Sequence, residues 1–139
     1  MPEPERLLQV VREWLAKADN DFNAARTLGL AKGCPTDAVC FHAQQCVEKY
    51  IKALLVLNEI DFPRTHDLSV LFALLPVKAR PPMSAEEQAK LTDYATGARY
   101  PGWGEIQLAE ARRAVIVARR VRAELRRSFP REALRRRKP

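Results

Sequence analysis

Apolar residues recur at intervals of three and four along most of the chain, which is the spacing of amphipathic α-helices. The pattern predicts a long first helix from about Leu7 to near Gly33 and a second helix over residues 37–58. Asp19 and Asp21 fall on or near the packed side of the first helix. Because a short loop joins the two helices, we expect them to pack antiparallel.

Three further helices are predicted beyond Pro63, which ends the tail of the second helix. Thr65 is placed to cap a short helix that Pro76 terminates, and Ser84 followed by Glu87 has the form of a capping box at the start of a fourth helix. The segment TGARYPGWGE is predicted to be a loop, because its glycines and proline interrupt any period. A long fifth helix follows, and no useful length of β-type alternation is present. The sequence therefore predicts an all-α fold.

The length of 139 residues fits one domain, and a hydrophobic content of 47% is ordinary for a globular core. No apolar run approaches the ~20 residues of a membrane span, and the N-terminus starts acidic and amphipathic, unlike a signal peptide. We therefore expect a cytoplasmic protein in which Cys34, Cys40 and Cys46 stay reduced. Cys40 and Cys46 point to opposite helix faces, so we expect buried small hydrophobes, no metal site and no cofactor.

The net charge of +7 is concentrated at the C-terminal end of the chain. Residues 112–139 hold 12 of the 24 lysines and arginines but only two acids, a net charge of +10 that leaves −3 for residues 1–111. We expect a helical domain over residues 1–127 and a basic tail over residues 128–139. Such a tail attracts phosphate backbones, or else it is a solvated, frayed end that aids solubility.

A polar row interrupts the apolar pattern of the second helix, where Gln44, Gln45, Glu48 and Lys52 share one stripe. In a structural interpretation Glu48 and Lys52 form an i,i+4 pair, and the glutamines hydrogen-bond across to Asp21 or to a facing helix. In a functional interpretation the row is one wall of a polar cleft or dimer seam. There Lys52 meets a phosphate, and the glutamines meet a base or a ribose.

The two histidines have different expected roles. His66 follows Pro-Arg-Thr at a helix start, where it pins the loop by a local hydrogen bond or, as an imidazole, takes part in proton transfer. His42 lies beside Phe41 in the second helix, and we expect a satisfied, partly buried histidine there.

The glycine-rich loop before the last helix carries three further candidates. Arg99 with the adjacent Tyr100 suits contact with a phosphate and a base. Alternatively, Arg99 braces a carboxylate such as Asp67 or Asp93. Trp103 is a dimer anchor or a plug over the end of the bundle.

Four segments follow one another in a specific order: DFNAA on the first helix, AQQCVEKYIKALL on the second, and then THDL and ARYP before the last helix. Over about residues 7–127 the chain resembles the small stand-alone HEPN proteins of bacteria and archaea. The resemblance implies an up-and-down antiparallel bundle of four main helices plus a short one. It further implies a homodimer and a neighbouring gene for a minimal nucleotidyltransferase, in a toxin–antitoxin-like pair.

One motif of many HEPN ribonucleases is missing from the sequence. Those members carry an arginine followed, after about four to six residues, by a histidine near the start of the last helix, whereas the histidines here are His42 and His66. Without an imidazole at that place, RNA cleavage by that pair is not supported.

The leading hypothesis is a homodimeric, non-catalytic HEPN module that binds a nucleotide or nucleic acid, or a partner minimal nucleotidyltransferase, away from any membrane. One rival is a metal-independent ribonuclease toxin that uses His66 and Arg99, and another is a pure protein-interaction subunit. The homodimer is favoured by apolar residues outside the main stripes, namely Phe41, Leu55, Leu57 and Trp103. The candidate ligand-binding residues are Gln45, Glu48, Lys52, His66, Asp67, Arg99 and Tyr100.

Overall fold

Helices make up the regular structure of the computed structural model, which describes residues 3–135 apart from the side chain of Arg99. They are α1 (Pro4–Gly29), α2 (Thr36–Leu57), α3 (Leu68–Leu74), α4 (Ala85–Ala95), α5 (Leu108–Arg126) and α6 (Arg131–Leu134), with single 3₁₀ turns at Val77–Ala79 and Gly97–Arg99. Residues 3–135 contain no β-strand, so the predicted all-α fold is confirmed. None of the helices in this part of the chain has the length and hydropathy needed to cross a membrane.

α1 and α2 form an antiparallel pair, as the short loop between them predicts. Trp14, in the first half of α1, lies beside Lys52 near the end of α2, whereas Asp21, further along α1, lies beside His42 near the start of α2. Between the two helices, Gly33 has a φ of 70°, a left-handed conformation that glycine adopts without steric cost.

α2 lies at the centre of the bundle, because it contacts α1, α3, α4 and α5. Its apolar side chains therefore point into the core in several directions, and the largest fully buried ones are Tyr50, Ile51, Leu54 and Leu55. Full burial of a Leu or Ile side chain stabilises a fold by about 1.5–3 kcal/mol relative to exposure. Cys40 and Cys46 are also buried in this core, as predicted.

The start of α3 differs from the prediction that Thr65 caps it. The N-cap is Asp67, whose Oδ1 accepts a hydrogen bond of 2.9 Å from the backbone N–H of Ser69. Thr65 Oγ1 instead accepts a bond of 3.0 Å from the N–H of Asp67. The prediction was wrong because two polar residues compete for one helix end, and the backbone turn at Thr65 moves the start of the helix two residues on. This turn also fixes the backbone position of His66, which lies between Thr65 and Asp67.

α4 begins with the predicted capping box. Ser84 Oγ accepts a hydrogen bond from the N–H of Glu87 at 3.1 Å, and Glu87 Oε1 accepts one from the N–H of Ser84 at 2.9 Å. Two backbone donors at the helix end are thereby satisfied. Arg120 of α5 also donates to Glu87, which ties the start of α4 to α5.

The chain beyond α5 does not leave the bundle at once. Phe129 and Ala133 are buried, and Arg12 Nε of α1 donates to the carbonyl of Glu132 at 2.9 Å. The first part of the predicted basic tail therefore packs against α1. Residues 136–139 lie outside the described residues, and binding of nucleic acid by the tail stays a prediction.

We expect Ser84→Ala to lower the free energy of unfolding by about 1 kcal/mol, because the substitution removes the oxygen that caps α4. Urea denaturation of both proteins measures the difference. Ser69→Ala, at an exposed serine in α3, is the control and should change the free energy by less than about 0.5 kcal/mol. A loss of the same size in both variants would show that the cap does not stabilise α4.

Candidate functional site

The polar row of α2 lies inside the bundle. The exposed fractions of Gln44, Glu48 and Lys52 are 0%, 3% and 8%, and Gln45 is half-buried. Their burial follows from the central position of α2, since no face of this helix is left entirely to solvent over these turns. Polar groups in such a place need partners, because an unpaired buried donor or acceptor costs about 1–3 kcal/mol.

Glu48 accepts hydrogen bonds from three side chains. Gln44 Nε2 lies 3.0 Å from Glu48 Oε1, and Lys52 Nζ lies 3.0 Å from Glu48 Oε2. His66 Nδ1 lies 2.7 Å from Glu48 Oε1, across the connection between α2 and α3. The first two donors stand one turn before and one turn after Glu48, where α-helical spacing places them. The third depends on the fold of the connection.

The glutamines extend this network within α2. Gln45 Nε2 donates to Gln44 Oε1 at 2.7 Å, and Gln44 Nε2 also lies 3.4 Å from the carbonyl oxygen of His66. The expected bond from the glutamines to Asp21 is absent from the described contacts. Asp21 is instead bonded to His42 and Lys49, also of α2. His42 is thus the satisfied, partly buried histidine that the sequence predicts.

Lys52 is enclosed by aromatic rings. Its Nζ lies 5.9 Å from the ring centroid of Trp14 and 5.7 Å from that of Phe62. Both rings are within the range of cation–π attraction, which is stronger when the cation is shielded from water. Because the Lys52 ammonium is bonded to Glu48 and the two rings cover its sides, Lys52 serves to stabilise the buried Glu48 carboxylate.

The charge of Glu48 is stabilised in spite of its burial. Burial disfavours the charged form of a carboxyl, but the hydrogen bonds from Gln44, His66 and Lys52 outweigh burial and lower the pKa of Glu48 below its ordinary value of 4.5. The network therefore keeps Glu48 a carboxylate in the interior at neutral pH.

His66 is the member of this network that reaches solvent, since 57% of its side chain is exposed. Because Nδ1 is bonded to the buried Glu48 carboxylate and most of the ring is exposed, Nε2 is the ring nitrogen left for contact with solvent. A carboxylate behind an imidazole fixes the orientation of the ring and the nitrogen that carries the proton, an arrangement also used behind metal ligands and catalytic bases. Among residues 3–135, no three His, Cys, Asp or Glu side chains are grouped closely enough to hold a metal ion.

The loop before α5 also contacts α2. The N–H of Leu68 donates to Thr92 Oγ1 of α4 at 3.1 Å, which joins the residue after Asp67 to the last turns of α4. The 3₁₀ turn Gly97–Arg99 follows α4 directly and contacts α2. Tyr100 is 65% exposed, whereas the side chain of Arg99 lies outside the described residues.

Trp103 folds back over this loop. A Cβ at Gly97 would stand 3.3 Å from the Trp103 ring, so only glycine leaves the ring its present place without displacement. The ring nevertheless remains 46% exposed.

A further cluster around Asp19 was not found from the sequence. The Tyr50 hydroxyl donates to Asp19, and Arg122 Nε of α5 donates to Asp19 Oδ1 at 2.9 Å. Burial and the hydrogen bond to Asp19 raise the pKa of Tyr50 above its ordinary value. The sequence placed Asp19 near the packed side of the first helix, but no periodicity relates it to Arg122, which is 103 residues away.

The lowered pKa of Glu48 predicts a pH dependence of stability. Because this pKa is lower in the folded chain than in the unfolded chain, Glu48 stabilises the fold above its unfolded pKa, and the stabilisation is lost as the pH falls through the folded pKa. We expect the free energy of unfolding to fall as the pH drops below about 5, and to fall less steeply in Glu48→Gln. Urea denaturation at several pH values measures both slopes, with Glu13→Gln, at an exposed carboxylate, as the control. If the free energy of unfolding fell equally steeply with pH in wild type and in Glu48→Gln, the lowered pKa of Glu48 would be contradicted.

Comparison with known proteins places this bundle in a family. A HEPN domain family matches residues 11–128, from the first turns of α1 to just beyond α5. A protein of Methanocaldococcus jannaschii named "Putative toxin MJ1304" is 38% identical over 65 residues, which span 47% of this chain but only 41% of that relative. No solved structure matches the chain significantly. Because the family match covers residues 11–128, most of the sequence, this chain belongs to the HEPN domain family.

Proposed function

We propose that this chain is a HEPN module that binds a nucleotide or an RNA segment around His66, as one member of a toxin–antitoxin-like pair. The observation that carries the proposal is the His66 ring, which is mostly exposed although its Nδ1 is bonded to the buried carboxylate of Glu48. The ring is held in one orientation while its second nitrogen faces solvent. A nitrogen held in this way suits a phosphate oxygen or a ribose hydroxyl.

Stability alone does not account for the buried charges behind His66. A buried ion pair often stabilises a fold no more than apolar residues of the same volume would, because removing two charges from water costs about as much as their attraction returns. Glu48 and Lys52 are nonetheless buried at the centre of the bundle. A role in orienting His66 gives a physical reason for a carboxylate at this position.

The ligand surface in this proposal combines His66, Gln45 and the loop that carries Arg99 and Tyr100. Tyr100 is exposed, and an exposed aromatic ring is a platform on which a base stacks. An arginine beside it suits the phosphate, because a guanidinium donates two parallel hydrogen bonds. Three residues of the predicted site position this surface without touching the ligand: Glu48, Lys52 and Asp67.

The toxin–antitoxin part of the proposal is supported by the M. jannaschii relative, whose name describes a toxin. The proposed partner is a minimal nucleotidyltransferase, as the family resemblance implies. A nucleotide bound on the HEPN chain would then be available as a substrate to the nucleotidyltransferase bound beside it.

A ribonuclease is the second candidate, and the His66–Glu48 pair is the observation that favours it. A carboxylate-oriented imidazole with a solvent-facing nitrogen is able to exchange a proton with a 2′-hydroxyl or a leaving oxygen. This candidate needs a second group to stabilise the charge on phosphorus, and Arg99 is the residue proposed for it.

We expect His66→Ala to weaken binding of a fluorescently labelled RNA oligonucleotide by about tenfold, as the loss of one hydrogen bond to a charged group predicts. His42→Ala is the matched control, because it removes the bond between the other histidine and a carboxylate, Asp21. Both variants should lose about 1 kcal/mol of unfolding free energy, whereas only His66→Ala should lose affinity.

Equal affinity of the two variants would refute a ligand role for His66. The same mixtures, kept in EDTA and analysed for RNA length, separate the two candidates. Cleavage by wild type and by His42→Ala, with none by His66→Ala, would establish the ribonuclease. Intact RNA throughout supports the binding module.

We also propose a homodimer, although one of its four supporting residues is not at the surface. Leu55 is fully buried, and Phe41 and Leu57 are half-buried, so the expectation of an exposed Leu55 was wrong: α2 is covered on that side as well. Trp103 is exposed and remains the anchor in this proposal.

Sedimentation velocity at protein concentrations on the order of tens of micromolar is expected to show a dimer, and Trp103→Asp is expected to shift it to monomer. A charge at the centre of an apolar contact would be desolvated without a partner, which is the reason for the expected shift. Val77→Asp, at another exposed apolar residue, is the control and should leave the dimer intact. A wild-type monomer under these conditions would reject the dimer.

A further inference from the structure

A groove lined in part by arginines lies between α1 and α5. Two clefts of about 320 and 380 Å³ follow one another along these helices. The first lies between the C-terminal half of α1 and the N-terminal half of α5, and the second lies between the N-terminal half of α1 and the end of α5, where α6 closes it. Together we call them the α1–α5 groove.

The α1–α5 groove is strongly basic. Three arginines line each cleft, six in all, against two acids, Glu13 and Asp19. Asp19 is already neutralised by Arg122 at 2.9 Å and Arg126 at 3.6 Å. The six lining arginines are Arg26, Arg112 and Arg119 in the first cleft and Arg12, Arg126 and Arg135 in the second. The groove thus has a surplus of positive charge.

Three guanidinium groups at the middle of the groove are held over one aromatic ring. The side chains of Arg26, Arg119 and Arg122 lie 6.0, 5.9 and 5.2 Å from the centroid of the Phe22 ring, which is itself buried. Attraction to the ring face limits the freedom of these long side chains. Arginines positioned in advance lose less conformational entropy when they bind an anion.

The α1–α5 groove is separate from the His66 network. Asp19 and Asp21 are two residues apart on α1, which turns their side chains by about 200° relative to one another. Asp21 faces α2, as does Trp14, which contacts Lys52 of the network. Asp19 is bonded to Arg122 of α5 and also to Tyr50 of α2. No residue of the His66 network lines either cleft, so the two surfaces lie on different sides of α1.

We propose that the α1–α5 groove binds the phosphate backbone of a single nucleic-acid strand. Phosphates suit the arginines, since a guanidinium and a phosphate form two parallel, charge-assisted hydrogen bonds. Packed helices have axes about 8–10 Å apart, so the groove between them admits one extended strand, whereas a duplex would rest on the rim. α5, with 19 residues at 1.5 Å each, gives a track of about 28 Å.

The lining argues against an acidic helix of a partner protein in the same groove. A docked amphipathic helix needs a continuous apolar stripe for its anchors. The first cleft is lined mainly by apolar residues, among them the exposed Leu30 and Ile116, but the second cleft is lined mainly by polar side chains, so the apolar stripe does not continue along the groove. The basic surface continues through both clefts.

Neighbouring arginines on α5 provide a sharp test. Arg112 lines the α1–α5 groove, whereas Arg113, which follows it, lines a different cleft between α4 and α5. The test variant is Arg112→Gln with Arg119→Gln, and the control is Arg113→Gln with Arg127→Gln, which changes the net charge equally. The probe is a fluorescent oligouridine of about 16 nucleotides, the upper end of a single-strand site, titrated at several salt concentrations.

For the test variant we expect at least tenfold weaker binding. The slope of log affinity against log salt concentration should become less steep by about 1.4, because each lost phosphate contact reduces it by about 0.7. The control should stay within about twofold of wild type, since charge away from the groove acts only through screened, long-range attraction. Oligothymidine should bind like oligouridine, because the phosphates are common to both. Melting temperatures of all variants establish that they are folded, and Arg112→Gln alone carries the test if Arg119→Gln disturbs the Phe22 ring.

Three outcomes would overturn the proposal. An equal loss of affinity for oligouridine in the test and control variants would show that the strand is attracted by net charge alone. Competition by polyglutamate as effective as by unlabelled oligouridine would indicate an acidic protein segment. Tighter binding of duplex than of single strand would place the nucleic acid outside the groove. Because the two surfaces are separate, His66→Ala should weaken RNA binding by the same factor in wild type and in the test variant, so failure here and failure at His66 are distinguishable.

Discussion

Glu48 is a charged group in the middle of an apolar bundle, and much of the surrounding structure follows from the cost of keeping it there. Two of its donors, Gln44 and Lys52, lie one helical turn to either side, so they are supplied when α2 forms. The third, His66, comes from the connection beyond α2 and pins that connection to the helix. Because the next residues start α3 and bond to Thr92 of α4, the same carboxylate indirectly sets the position of two more helices.

α1 separates two charged regions of opposite character. On one flank the charges are buried and paired, with Glu48 and Asp21 each bonded to a histidine and a lysine. On the other flank the arginines of α5 outnumber the acids and remain in contact with solvent. Buried ion pairs fix the orientation of the side chains that form them. Solvent-accessible charges that outnumber their counter-charges instead attract oppositely charged ligands over a distance. The proposed ligand surface at His66 and the proposed strand-binding groove are therefore compatible in a single small bundle.

Membership of the HEPN family does not by itself assign a reaction to this chain. The arginine–histidine motif of the ribonuclease members is missing, and the histidines stand on α2 and just before α3. His66 nevertheless acquires from Glu48 the fixed orientation that proton transfer or anion binding requires. Because one fold is shared by many activities, the proposed function depends on the position of the His66 imidazole and not on the fold.

The sequence by itself determined the main helices. Apolar periodicity gave α1, α2 and α5, and the Ser84–Glu87 box gave the start of α4, because such signals depend on residues within one or two turns. It also placed Gln44, Glu48 and Lys52 on one stripe, but whether that stripe meets solvent depends on how many helices surround α2. The cap at Asp67, the bond from His66 to Glu48 and the cluster of Asp19 with Arg122 were decided by tertiary structure. Their partners are brought together by the packing of separate elements, and no local pattern encodes such a distance.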